Sequence, residues 1–283
     1  MTHPTLPTFH CTGALLLFPP IISKGGLRKQ AIRIDSHIRA RDARASRVSC
    51  QSTRRALLGL SCSCGLCQCK RRMQWYDKYF AWNMSQFEEE YEELVGPTKK
   101  ELFSQFIPAD AGSLSILDVG AGTLPNAKYF QDMAVTAVDP NQEMWPYARA
   151  SAARHGVRSL TLVNGVAESL PFADGSFDRA VCTLVLCSVT DVEAAVRELH
   201  RVLKPGGKLL FLEHVAAGQE RPLLRLSQTL LNPLQRALAD GCNLIRDPLE
   251  SIRSERFEME EERHFFIPSL GLIGPHVSGI AVR

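Results

Sequence analysis

Gly120-Ala121-Gly122 follows directly on the apolar run 115–119, and Asp139 closes the next such run, 17 residues after Gly122. Glycines at a strand-to-helix turn let the backbone bend tightly and approach a ligand. A carboxylate at the end of a second strand can accept both hydroxyls of an adenosine ribose. Asp139 also suits the N-terminal cap of a helix opened by Pro140. Asp118, two residues before Gly120, is placed to order that loop or to pair with the amine of an amino-acid-bearing cofactor. Ala167-Glu168, ahead of Leu170-Pro171-Phe172, is placed to cover an adenine ring, although Glu168 alone reads as a solvated loop charge. A Gly-x-Gly pair by itself matches a structural turn as readily as a site. The dinucleotide fingerprint asks for a third small residue where this chain has Pro125, preceded by the bulky Leu124. That departure argues against NAD or FAD.

Proton transfer could fall to His214, just after an apolar run, or to His276, before the last one. A single histidine is as readily structural. Cys182 and Cys187 lie near the same region, where buried cysteines usually serve packing. Six of the nine cysteines fall in the first 72 residues, four of them as Cys62-x-Cys64-x-x-Cys67-x-Cys69. Structural zinc sites usually separate two ligand pairs by a folded loop, so this cluster is open to metal, acylation, redox pairing or no structure at all. No metal site is assigned to the remainder of the chain.

The elements that must position these residues alternate. Residues 84–95 and 98–106 have helical spacing, with Gly96-Pro97 read as a stop between them. Apolar strand candidates follow at 115–119, Ala134–Val138, 161–163, Phe177–Thr183 and 208–213. Helices are expected from about Asn126, over 142–155, and from 190 to 203, where Thr190-x-x-Glu193 has the form of a capping box. Strands alternating with helices imply a parallel, doubly wound sheet covered on both faces. Residues 223–238 carry leucines at helical spacing and could form a lid, lie on a membrane, or pack on the sheet. The stretches 256–264 and 276–283 read as two strands with no helix between them, an antiparallel pair at the end of an otherwise parallel sheet.

Charge divides the 283 residues. Residues 1–73 hold 13 Lys+Arg against 2 Asp+Glu, and the remaining 210 hold 20 against 28. An acidic body is a poor partner for nucleic acid, whose phosphates require clustered lysine or arginine. The basic segment is rich in Arg, Ser, Thr and Cys and lacks a sustained period, which is the composition of an organellar transit peptide. Its Ser/Thr-rich opening favours a chloroplast over a mitochondrion. Arg54-Arg55 before an apolar stretch could add a lumen-directing signal or simply extend the transit sequence. No run approaches the roughly 20 apolar residues of a spanning helix.

Four ordered motifs carry a resemblance. Leu117-Asp118-Val119-Gly120-Ala121-Gly122-Thr123 resembles the first motif of Rossmann-like S-adenosylmethionine methyltransferases, and Asp139 their acidic second motif. The segment from Ala167-Glu168 to Ser176-Phe177-Asp178 is similar to the adenine loop and fourth strand of their type 11 group, and Arg201 to Gly207 to the turn before their fifth strand. Within that family, Cys182-Thr183-Leu184-Val185-Leu186-Cys187, Glu213-His214-Val215, Asp240-Gly241-Cys242-Asn243-Leu244 and Pro275-His276-Val277 resemble the methyltransferase-like branch of membranes and lipid droplets. Animal members of that branch methylate small alkyl thiols and carry an N-terminal anchoring stretch that this basic segment does not reproduce. Leu124-Pro125 stands where the branch usually has a third glycine and a small residue.

The resemblance implies an α/β fold: a doubly wound, Rossmann-like seven-stranded sheet ending in an antiparallel hairpin. It would occupy residues 111–283, behind a helical cap over 73–110 and a transit peptide over 1–72. It implies S-adenosyl-L-methionine as cofactor, held by Asp118, Gly120, Ala121, Gly122, Asp139, Ala167, Glu168 and Thr183. The partner would be a small-molecule methyl acceptor, with peripheral membrane contact as an accompanying expectation and nucleic acid excluded. The reaction would be direct in-line transfer, with His214 and His276 as candidate catalytic groups. A nicotinamide-dependent reductase and a non-catalytic cofactor-binding module are the alternatives.

Overall fold

The computed structural model describes residues 74–108 and 111–283; the transit-peptide reading and the Cys62–Cys69 cluster lie outside them. The first helix, α1 (Gln74–Phe106), runs straight through Gly96-Pro97 instead of stopping there. Proline inside a helix costs about 3 kcal/mol through a lost hydrogen bond and a steric clash. Burying large side chains returns roughly 1.5–3 kcal/mol each. Val95, Leu102, Phe103 and Phe106 are all buried around the proline, so packing holds the two halves in one helix.

Five parallel strands follow: β1 (Ile116–Val119), β2 (Ala134–Val138), β3 (Ser159–Val163), β4 (Phe177–Thr183) and β5 (Leu203–His214). The last two, β6 (Glu258–Phe266) and β7 (Pro275–Val282), form the expected antiparallel hairpin. The sheet order is β3-β2-β1-β4-β5-β7-β6, with β7 inserted antiparallel between β5 and β6. The order reverses at β1, between β2 and β4, which is where doubly wound sheets bind ligands beyond their strand ends. All four residues of β1 are buried, as a strand covered on both faces requires.

Three expectations shift. The helix anticipated after the glycine loop is only a 3₁₀ turn, Pro125–Tyr129. Phe130 is fully buried just beyond it and the chain enters β2 at Ala134, which leaves no length for further turns. The helix α2 (Trp145–Arg154) is preceded by a separate 3₁₀ turn, Gln142–Met144. The helix α3 (Val192–Val202) is capped by Asp191, whose Oδ1 accepts from the Ala194 amide at 3.0 Å, rather than by Thr190. The backbone N–H of Thr190 is instead taken by Glu168, and aspartate is the stronger cap.

The helix α4 (Pro222–Leu238) is inverted relative to ordinary packing. Leu223, Leu226, Leu230 and Leu234 face solvent, Leu223 at 79% exposure, while Gln228 and Asn232 are buried. Their amides explain the inversion. Gln228 accepts from the Ala217 amide at 2.7 Å and donates to the carbonyls of Val215 and Leu272, and Asn232 accepts from the Leu244 amide at 2.8 Å. A short helix, α5 (Leu249–Ser254), completes the chain order ahead of β6. Among the described residues, no helix is long and apolar enough to cross a membrane.

Candidate active site

The glycine loop leaves β1 with Gly120 and Gly122 both at positive φ. A side chain at Gly120 would place its Cβ 2.4 Å from Val185 Cγ2, so only glycine lets this loop lie against the segment after β4. Leu124 is also left-handed, at φ 62°, and its side chain is fully buried. Its burial offsets the roughly 1–2 kcal/mol that this conformation costs an L-residue.

Asp139 closes this loop from the neighbouring strand. Its Oδ2 accepts from the Gly122 amide at 2.9 Å and its Oδ1 from the Asn141 amide at 2.7 Å. Asp118 and Thr183, at the ends of β1 and β4, are joined by one side chain. Asn126 Nδ2 donates to Asp118 Oδ2 at 3.1 Å and to Thr183 Oγ1 at 3.2 Å. The amide can point only this way, because its oxygen accepts from Lys99 Nζ at 3.0 Å and lysine is solely a donor. Lys99 is buried and paired with Glu92, which also binds Lys128 at 2.9 Å. Burial pushes the Lys99 pKa down, and Glu92 works against that shift.

Asp118 is buried and its Oδ1 has no partner. Burial lifts its carboxyl to about 7, although Asn126 and Lys99 both pull the other way. Ala167 is buried in the apolar cluster that holds Val119 and Val138, the last residues of β1 and β2. The Glu168 carboxylate turns away to the start of α3, where its Oε1 accepts from the Thr190 amide at 2.7 Å. The structure thus gathers Asp118, Gly120, Ala121, Gly122, Asp139 and Thr183 at the C-terminal ends of β1, β2 and β4, with Ala167 in the apolar cluster behind them and Glu168 committed to a helix terminus.

The two histidines pair across strands, His214 on β5 opposite His276 on β7. His276 Nδ1 faces the Gly274 carbonyl at 2.9 Å and Nε2 faces the Tyr91 hydroxyl at 3.1 Å, so both ring nitrogens are engaged. Burial lowers its pKa to about 4, which keeps the ring neutral near pH 7. His276 also lines a cavity of about 660 Å³ shared with Val215, Arg221, Arg225 and Phe266. His214 Nε2 lies 2.7 Å from Cys242 Sγ, and its Nδ1 is buried without a partner. Beside it, the Glu213 carboxylate accepts from the amides of Val185, Leu186 and Cys187 at 3.0 to 3.2 Å.

Sequence reasoning missed Lys99, Asn126 and Glu213. Only Glu213 left a local signal, an acid closing the apolar run Leu209 to Leu212.

Residues 117–211 match the family described as "Methyltransferase domain". The chain is 38% identical over 212 residues to thiol S-methyltransferase TMT1A of Homo sapiens, an overlap of 73% of this chain and 86% of that one. It is 34% identical over 215 residues to thiol S-methyltransferase TMT1B of Rattus norvegicus, covering 72% and 86% of the two chains. The chain belongs to the S-adenosylmethionine-dependent methyltransferases. Its place is in their thiol S-methyltransferase branch. A solved S-adenosylmethionine-dependent methyltransferase of Thermotoga maritima shares the fold at a TM-score of 0.53 and 19% identity, over 74% of this chain and 99% of that one. The cofactor of this methyltransferase is therefore S-adenosylmethionine. The buried, unpartnered Asp118 Oδ1 fits a ligand that carries an ammonium group.

A raised carboxyl pKa makes folding favour the protonated group. The contribution of Asp118 is therefore complete below the ordinary carboxylate range, declines as pH rises, and is gone above about 7. Urea midpoints measured across that window should fall with pH in the parent protein and fall less steeply in Asp118→Asn.

Proposed function

We propose that this enzyme methylates the sulfur of a small alkyl thiol by direct in-line transfer. The observation that carries the reading is the 38% identity over most of both chains to a thiol S-methyltransferase. The geometry supports it, since an acceptor that needs no strong base suits a site whose histidines are both buried, with His276 held neutral between two partners. A thiol with pKa about 8.5 is already a few per cent thiolate near neutrality.

In this reading Asp139 takes the ribose hydroxyls, the Gly120–Gly122 backbone lies along the cofactor, and Asp118 Oδ1 receives its ammonium. Ala167-Glu168 would border the adenine through its backbone, since the Glu168 side chain is engaged at α3. Thr183 and Asn126 would fix the floor of the site. S-adenosylmethionine supplies a methyl group made electrophilic by its sulfonium charge. The chain's own part is to align the two ligands and keep water out.

Two charge-assisted hydrogen bonds donated by ribose hydroxyls to Asp139 are together worth about 3 kcal/mol, so Asp139→Ala should weaken cofactor binding about 100-fold by calorimetric titration. An unchanged affinity in the folded variant would sink the site assignment. With methyl-labelled cofactor and a panel of acceptors, label should reach small alkyl thiols; transfer to a quinol or a phenol instead would replace the thiol reading.

The reading extends to a membrane surface. The outward leucines of α4 form an apolar stripe with Arg221, Arg225 and Arg236 on the same helix or at its start, the pattern of an interfacial helix. Leu226→Glu with Leu230→Glu should abolish co-sedimentation with anionic lipid vesicles and leave thiol methylation of a soluble acceptor unchanged. We further propose residues 1–72 as a chloroplast-directing peptide. Fused to a fluorescent protein and expressed in plant cells, they should deliver it to chloroplasts; a mitochondrial or cytosolic pattern would reject that destination.

A further inference from the structure

Three sulfur and nitrogen donors that the proposed reaction does not yet use converge beyond the ends of β4 and β5. Cys187 lies on the loop after β4, His214 ends β5, and Cys242 sits in the turn after α4. All three are buried, and one ligand atom from each falls within 4.8 Å of the others. Donors on one tetrahedral zinc, with bonds of about 2.0–2.3 Å, lie about 3.5 Å apart, so the cluster needs adjustments of about 1 Å to close on an ion.

The scaffold beneath these donors is tightly determined. Glu213 holds the Cys187 amide, and the Asn243 amide donates to the Cys187 carbonyl at 2.9 Å, tying the two cysteine loops together. Arg246 donates to the carbonyls of Leu186 and Val189 on one loop from its place beyond the other. The loops lie so close that a Cβ at Gly241 would stand 2.7 Å from the Ser188 carbonyl oxygen. The cysteines are therefore fixed by backbone contacts independent of their sulfur atoms. Cys182, also buried, stands outside the group.

We propose that Cys187, His214 and Cys242 form a zinc site whose fourth position takes the sulfur of the acceptor. Two thiolates and one imidazole are soft and borderline donors, which select zinc over magnesium or calcium. Three protein ligands with one position open is the arrangement of catalytic zinc, whereas structural sites close with four. Among the described residues no fourth His, Cys, Asp or Glu joins the group. Two thiolate charges also balance a divalent ion. When a thiol ligates, its sulfur donates an electron pair to the ion and its proton leaves to solvent; nothing is oxidised or reduced. The open position rests on the thiol reading above, while the ion site itself does not.

The test uses the full chain with Cys11, Cys50, Cys62, Cys64, Cys67 and Cys69 replaced by serine, so that the N-terminal thiols cannot supply the signal. After zinc loading and dialysis, elemental mass spectrometry should find a single equivalent of zinc. Cobalt(II) in its place should show thiolate-to-metal charge transfer and the visible bands of a tetrahedral site. Cys242→Ser and His214→Gln should each lose most of the bound metal, and Cys182→Ser should keep it, with circular dichroism reporting the fold of each variant. Absence of zinc, or metal content unchanged in both Cys242→Ser and His214→Gln, would overturn the site. Adding a small alkyl thiol should shift the visible cobalt bands; unshifted bands would overturn the open position. Metal lost as expected, with label reaching no thiol in the acceptor panel, would uphold the ion site and overturn the thiol reading alone.

Discussion

A single buried carboxylate, that of Glu213, organises the end of the sheet where the glycine loop meets the segment after β4. A carboxylate with no access to water must find donors, and three consecutive amides after β4 supply them. Burial still lifts its pKa to about 7, with those amides drawing it back down. Satisfying this one group fixes the backbone from Val185 to Cys187. Val185 then lies so close to Gly120 that the cofactor loop can carry no side chain there. Cys187, held by the same carboxylate, is delivered to Cys242 and to His214, the residue next to Glu213. The glycine loop and the Cys187–His214–Cys242 cluster share one anchor.

A second constraint operates from the opposite side. Lys99 is buried on α1, far along the chain from the strands it serves, and its ammonium needs oxygen partners. Glu92 supplies one and Asn126 the other. Because the lysine fixes the orientation of the Asn126 amide, Asp118 and Thr183 both receive its N–H groups. Glu88 on the same helix accepts from the Thr123 hydroxyl in the glycine loop. The N-terminal helix, held unbroken through Pro97 by its buried side chains, thus braces the glycine loop and Asn126.

The inversion of α4 follows the same logic of buried polar groups. An amphipathic pattern read in isolation directs leucines inward, because apolar burial is favourable by about 25 cal/mol per Å². Here the loops at 215–217 and 244 and the carbonyl of Leu272 present backbone groups that need partners, and Gln228 and Asn232 provide them. Leaving such groups buried and unpaired costs about 1–3 kcal/mol each. The amides win the inward face, and the leucines become a surface.

Local pattern alone settled the alternation of strands and helices, the hairpin at the end, the limits of β2 and β4, and the glycine turn with its acid partner. Each depends on neighbours a few residues apart, where periodicity and turn chemistry act directly. The resemblance of its ordered motifs carried the cofactor with them. The continuation of α1, the truncated turn after Leu124 and the outward leucines depended instead on packing and on donors brought from distant segments. The same holds for Lys99, Asn126 and Glu213, and for the meeting of Cys187 with His214 and Cys242. A buried polar group is satisfied by whatever the fold places against it, and tertiary structure alone makes that choice.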